Sequence, residues 1–185
     1  VPYAFEALEG AARAMKEEFG FEPTRPVVVE FYPTRRAFIA ASTLTREEVE
    51  TSGTLAICHF NRIMMLSPAV LARGYDWMDA LCHEYIHYTV YSVGGSSIPV
   101  WLHEGIAKHL ETRWRLQDPA PLDPRMSSIL AEGLETGRWV GFEQMHPSMA
   151  KLPSGELVSL AFSQVAVTAQ MLREQQGKDA LSRLV

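Results

Sequence analysis

Cysteine and positive charge are both scarce in this 185-residue chain. Cysteine occurs only twice, at Cys58 and Cys82, which is too few for a disulfide framework. Lysine and arginine together number 17 against 22 acidic residues, so the formal net charge is −5. Because nucleic acids bind strongly basic surfaces, this charge balance gives no electrostatic case for a nucleic-acid partner.

Long apolar runs and repeats are missing as well. No run reaches the ~18–20 residues that a membrane-spanning helix needs, so we expect no membrane segment. A hydrophobic content of 47% is enough for one domain with its own core, and we assign residues 1–185 to a single domain. The chain shows no signal-peptide pattern, and its last residues read as part of a helix that starts near Lys178. We therefore expect a fragment of a longer protein.

One short motif carries chemical information. His83-Glu84-Tyr85-Ile86-His87 reads H-E-x-x-H. Residues four apart lie on one face of an α-helix, so His83 and His87 can offer imidazole nitrogens to one metal ion. Glu84, beside the first histidine, can hold a water on that metal and accept its proton. This combination is typical of zinc metalloproteases.

The residues around the motif favour a helix. Asp76 is a candidate N-cap, and Asp79 is an acidic residue in the first turn. Apolar residues follow at helical spacing, and Val93-Gly94-Gly95 predicts the end of the helix. The motif is therefore expected on a helix, as metal binding by two histidines requires.

A third ligand is expected from the next helix, since catalytic zinc has three protein ligands and one open position. Pro99 suits the first turn of a helix that we predict to about Trp114. The short connection predicts antiparallel packing, which brings Glu104 towards His87. His103 and His109 are competing candidates at this point.

The H-E-x-x-H motif and the segment that begins at Pro99 together resemble two sequence blocks of gluzincin metallopeptidases, specifically the peptidase MA-like domains. The second block, Pro99-x-Trp101-Leu102-x-Glu104-Gly105-x-Ala107, is also similar to that of the aminopeptidases in the same superfamily. This resemblance implies a Zn²⁺ ion held by His83, His87 and Glu104, a peptide or protein substrate, and Glu84 as general base. It also suggests Glu111 as a group behind the ligands.

The resemblance implies a zincin-like α+β fold with a small N-terminal mixed sheet, a mainly helical C-terminal part, and the active-site helix between them. It further implies that one strand within 54–66 lines the cleft and binds extended substrate. Export to the periplasm or the extracellular space is favoured by the resemblance alone. The absence of an amine-gripping acidic segment near Gly53 favours endopeptidase activity, and the sequence does not indicate an oligomeric state.

Periodicity and turn residues place the other elements. The expected helices and strands, in chain order, are helix Tyr3–Phe19, strand Val27–Tyr32, a short helix to about Ala41, strand Thr54–Phe60, a turn at Asn61-Arg62, strand Ile63–Leu66, helix Met126–Leu134 and helix Glu156–Gln175. The polar stretch 45–51 reads either as a helical turn or as a surface loop.

One position departs from the family pattern. Peptide hydrolysis by zinc needs a donor that stabilises the developing oxyanion, and a tyrosine is expected where this chain has Phe162, which cannot donate a hydrogen bond. His146 is a candidate donor, with Tyr75 and Tyr88 as others. The alternatives to an active peptidase are a zinc-binding module with weak or no activity, and a metal-free helical hairpin.

Overall fold

Helices dominate the fold, and a small sheet lies in the first half of the chain. The computed structural model describes residues 2–185. Within that range it has an α+β fold with seven α-helices and three strands. The elements are α1 (Pro2–Phe19), β1 (Val28–Tyr32), α2 (Arg35–Ala41), α3 (Arg46–Ser52), β2 (Ala56–His59), β3 (Arg62–Leu66), α4 (Trp77–Gly94), α5 (Val100–Leu110), α6 (Pro124–Thr136) and α7 (Gly155–Gln176). None of the helices in 2–185 combines the length and apolar character that a bilayer crossing requires.

The sheet is mixed, as expected, and its strand order is β1-β3-β2. β1 runs parallel to β3 and β2 runs antiparallel to it, so β2 is an edge strand. The Leu66 N–H donates to the Leu55 carbonyl at 2.7 Å. Hydrogen-bonded pairs alternate along an antiparallel ladder, so Ala56 and Cys58 direct their main-chain groups away from β3.

The β2–β3 hairpin turns at Phe60-Asn61, one residue earlier than expected. Phe60 has φ 55°, in the left-handed region. That conformation costs a residue with a Cβ roughly 1–2 kcal/mol and is common for glycine or asparagine in such turns. A phenylalanine there is unusual, and its ring projects into solvent with 63% of its surface exposed.

Capping decides between the two alternatives left open for 45–51 and explains one difference from the sequence-based expectations. The stretch 45–51 is helical, since Thr45 and Glu48 form a capping box at the start of α3. The prediction of a helix that starts near Lys178 is wrong. Gly177, at φ 95°, ends α7, and the chain continues as a turn and a short 3₁₀ segment, Ser182–Leu184.

Helix α4 crosses the centre of the main core. Its apolar face is fully buried at Leu81, Ile86 and Val90. Alanines of α1 pack against it, and the Cys82 thiol donates to the Ala7 carbonyl at 3.5 Å. Cys58 and Cys82 are both free thiols. Cys82 thus belongs to the core, as its helical offset from His83 predicts.

Helix α5 is confined between α4 and α7. The small Gly105 lies against α7. A Cβ at Gly105 would lie 2.7 Å from the main-chain oxygen of Val165. This contact fixes the depth of α5, and with it the position of Glu104 relative to α4.

Candidate metal centre

Helix α4 presents the two motif histidines on one face, as its 3.6-residue repeat requires. The ring centroids of His83 and His87 lie 4.7 Å apart. Asp79, one turn before His83, accepts hydrogen bonds from Trp114 Nε1 at 2.7 Å and Arg115 Nη2 at 2.8 Å. These contacts join the start of α4 to the turn that follows α5. Asp76 holds the N-cap position, although its side chain makes no capping hydrogen bond.

The carboxylate of Glu104 lies between the two rings. Its Oε2 atom is 3.4 Å from Nε2 of His83 and 3.4 Å from Nε2 of His87. Zinc binds such atoms at ~2.0–2.1 Å in a tetrahedron, which separates neighbouring ligand atoms by about 3.4 Å. The two distances from Glu104 Oε2 therefore match two edges of such a tetrahedron.

Glu84 belongs to the same cluster as the two histidines. One donor atom from each of His83, Glu84 and His87 lies within 4.8 Å of the others. Two carboxylates thus compete as the third ligand, and the shorter distances belong to Glu104. Glu84 lies beneath β2, where the main-chain N–H of Cys58 donates a hydrogen bond to its carboxylate.

The remaining ring nitrogens have partners of their own. His83 Nδ1 lies 3.1 Å from Glu111 Oε2, and Lys108 forms an ion pair with the other oxygen of Glu111. His87 Nδ1 lies 2.8 Å from His103 Nδ1. Each Nδ1 is engaged and each Nε2 faces the centre, which is the usual division in histidine metal ligands.

The same contacts give the direction of packing. The earlier histidine of α4 contacts the residue just past α5, and the later histidine contacts a residue near its start. The two helices therefore run antiparallel, as the short connection predicted. Glu111 occupies the expected place behind His83. The contact between His103 and His87 was not anticipated, although it follows from the antiparallel arrangement.

The two histidines that competed with Glu104 lie elsewhere. His103 contacts the outer nitrogen of His87 and has a pKa lowered to about 4 by burial and by the nearby charge of His87. His109 has a buried Nε2 without a hydrogen-bond partner in 2–185. Burial and the neighbouring Arg173 lower the pKa of His109 to about 4 as well. Both rings are therefore neutral at pH 7.

A cleft of about 1050 Å³ opens onto the cluster and exposes His83, Glu84, His87 and Glu104. The edge strand β2 lines one wall. Segment 147–151 and helix α7 contribute to the lining as well. The strand expected within 54–66 to line the cleft is thus β2.

Of the candidate oxyanion donors, only Tyr75 lines this cleft. Its hydroxyl donates to the Leu66 carbonyl at 2.5 Å, and burial, with the charge of Glu84, raises its pKa to about 12. Tyr88 packs in the core, 5.6 Å from the ring of Phe21. His146 is exposed and is not among the lining residues, although Pro147 is. The geometry gives no support to the prediction for His146.

Phe162 lies beside the candidate metal ligands. Its ring centroid is 6.4 Å from that of His83, and it lines the cleft. An apolar ring thus stands beside the cluster.

The pKa values of the two carboxylates are shifted in opposite directions, although burial acts to raise both. Burial raises the pKa of Glu84, against the attraction of His87 and His83. Burial also acts to raise the pKa of Glu104, but the charge of His87 and hydrogen bonds from both histidines outweigh it and hold that pKa well below its usual range. Glu104 is therefore an anion, as a metal ligand must be.

The metal-free protein is expected to lose stability as pH rises from 7 to 10. Burial would lower the pKa of His83, but hydrogen bonds to Glu104 and Glu111 raise it from 6.5 to about 10. Because the folded pKa is the higher one, protonated His83 stabilises the fold fully below about pH 6.5, and this contribution is lost as pH approaches 10. Thermal melts in chelator should show a falling Tm over this range. In Glu111→Gln the fall in Tm should begin at a lower pH. A wild-type Tm that stays constant from pH 7 to 10 would contradict the ion pair between His83 and Glu111.

The comparisons with known proteins assign no family to this geometry. No family model matches the chain, and neither the curated proteins nor the solved structures give a significant match.

Proposed function

We propose that this protein is a zinc-dependent peptide hydrolase. The observation that carries the proposal is the position of Glu104 Oε2, 3.4 Å from Nε2 of both His83 and His87. Two imidazoles and one carboxylate are a donor set used by catalytic zinc sites, which leave a fourth position open. The cleft provides that opening, since all three donors line it.

A zinc ion held by these three residues would polarise a peptide carbonyl and lower the pKa of its water to ~7. His83, His87 and Glu104 have side chains only 12%, 16% and 20% exposed. Such burial limits competition from bulk water. Glu111 and His103 hold the outer nitrogens of the two rings and fix their orientation.

Glu84 is the proposed general base. Its side chain is buried at 7% exposure, lines the cleft, and lies in the same cluster as the two histidines. A carboxylate whose pKa is raised by burial is a better proton acceptor than one in water. Glu84 accepts a proton from the attacking water as the water oxygen bonds to the carbonyl carbon. It passes that proton to the amine nitrogen as the C–N bond breaks.

The edge strand β2 is the proposed support for substrate. Ala56 and Cys58 direct main-chain N–H and C=O groups away from β3, and both residues line the cleft. An extended peptide can pair with the N–H and C=O of Ala56 and the C=O of Cys58 as an added strand, whereas the Cys58 N–H is hydrogen-bonded to Glu84. This pairing would hold a substrate amide across the face of α4 that carries the histidines.

A mixed sheet with its open edge above the H-E-x-x-H helix supports the zincin-like architecture that the sequence resemblance implies. A second candidate function is zinc binding without hydrolysis. Phe162, 6.4 Å from His83, favours it because an apolar ring offers no hydrogen bond to an oxyanion. Tyr75 lines the cleft, but its hydroxyl proton is donated to the Leu66 carbonyl, so it would have to release that bond to serve as the donor.

Zinc-loaded protein is expected to cleave peptides within their chains. The purified protein is first stripped by chelation and then reloaded with one equivalent of zinc. A mixed peptide library is incubated with each form, and new termini are identified by mass spectrometry. Cleavage should vanish on stripping and return with zinc. Tight zinc binding without cleavage would favour the binding module, and no zinc binding would overturn both candidates.

A further inference from the structure

A second, smaller cavity adjoins the metal centre at the end of β2. Its volume is about 330 Å³, at the small end of ligand pockets, which suits one side chain better than a cofactor. We call it the hairpin pocket. Its lining residues are Cys58, His59, Phe60, His87, Tyr91, His103 and Glu104.

Aromatic rings form the outer walls of the hairpin pocket. Phe60 and Tyr91 meet edge to face with centroids 6.3 Å apart, and His59 lies 4.3 Å from Phe60. Phe60 is 63% exposed and Tyr91 is 44% exposed. Aromatic pairs of this geometry offer further ring faces and edges to an incoming aromatic or apolar group.

The backbone of Phe60 is an independent sign of function. A bulky residue with positive φ is an outlier, and such strain concentrates at binding sites. Asparagine or glycine would fit this turn better. The fold thus tolerates an unfavourable residue whose exposed ring forms one wall of the pocket.

We propose that the hairpin pocket binds an aromatic or other large apolar side chain of the peptide substrate, at one fixed position beside the scissile bond. This inference rests on the proposed function. A peptide paired with β2 passes over His87 and then reaches the hairpin tip, since Cys58 belongs to both cavities. Side chains of an extended peptide recur on one face every second residue, ~6.4–6.8 Å apart, so the register along β2 selects a single position.

The test compares two peptides that differ only by Phe or Ala at the position where cleavage products show enrichment. The zinc-loaded wild type should cleave the Phe peptide with the higher kcat/KM. Phe60→Asn should reduce the Phe-to-Ala ratio by about tenfold or more. Its Tm should stay the same or rise because the turn is relieved. Tyr91→Ala should reduce the ratio as well, whereas Phe5→Ala, an exposed aromatic on α1, should not.

Cleavage without aromatic or large apolar enrichment would overturn the pocket and leave the proposed function intact. An unchanged ratio in both Phe60→Asn and Tyr91→Ala would do the same. If the wild type cleaves nothing, the proposed function fails. The hairpin pocket is then tested by the binding of amino-acid amides alone. N-acetyl-phenylalanine amide should then shift NMR signals of the hairpin more than N-acetyl-alanine amide does. Equal or absent shifts would overturn the pocket.

Discussion

Glu84→Gln is expected to abolish measurable peptide cleavage while leaving zinc binding intact. Glutamine has the same shape but accepts no proton, so the attacking water loses its base and the leaving amine its acid. General acid–base groups contribute about 10²–10⁴-fold to rate, and we expect a fall of this size in kcat/KM. Zinc content by atomic emission and cleavage by mass spectrometry are measured on the same sample.

Glu143→Gln is the matched control, since it makes the same substitution at an exposed residue outside the cleft. It should cleave like the wild type. Full activity in Glu84→Gln would remove Glu84 from the mechanism. Loss of zinc in that variant would instead identify Glu84 as a metal ligand. Its carboxylate is close enough for that role, since it lies within 4.8 Å of a nitrogen of each histidine.

Glu104→Ala is expected to lose zinc and the stability that zinc provides. Removing an outer partner of a metal ligand costs 10–100-fold in affinity, and removing the ligand itself should cost more than ~100-fold. Zinc at 1,000 times its Kd adds about 4.1 kcal/mol to wild-type stability, or roughly 8–16 °C in Tm for a chain of this length. The variant should show no such rise at the same zinc concentration.

Two comparisons make this result specific. Glu111→Gln, which affects His83 only from behind, should give an intermediate affinity. Glu143→Gln should bind zinc like the wild type. Competition with a coloured zinc chelator measures affinity, and thermal melts measure stability. Wild-type zinc affinity in Glu104→Ala would exclude this carboxylate from the centre and would favour Glu84 as the third donor.

Much of the site could be predicted because it depends on local spacing. The i, i+4 repeat alone brings His83 and His87 together, and a short connection forces the next helix to return beside them. Glu111 lies two turns after Glu104, on the same side of the chain, and it reaches His83. Helical periodicity is a strong signal of this kind, whereas the choice of Glu104 as third ligand and of Glu111 behind the ligands rested on the family resemblance.

Long-range contacts were less accessible. Parallel pairing of β1 with β3 joins residues more than thirty positions apart, and alternation within a strand does not reveal its partner. The depth of α5 depends on α7 through Gly105, which its sequence neighbourhood did not indicate. The turn at Phe60 was misplaced because asparagine normally takes such a conformation. His146 was a candidate from its position in sequence, and the fold exposes it.

Under the proposed function, the open edge of β2 would also restrict which conformations of a substrate protein can bind. A segment already paired within its own sheet, or coiled in a helix, has no main-chain groups left to offer. With only four residues in β2, the gain from pairing is small and cannot unravel a stable partner. Under the proposed function, suitable targets would therefore be segments that are unstructured beforehand, such as loose tails, long surface loops and damaged or unassembled chains.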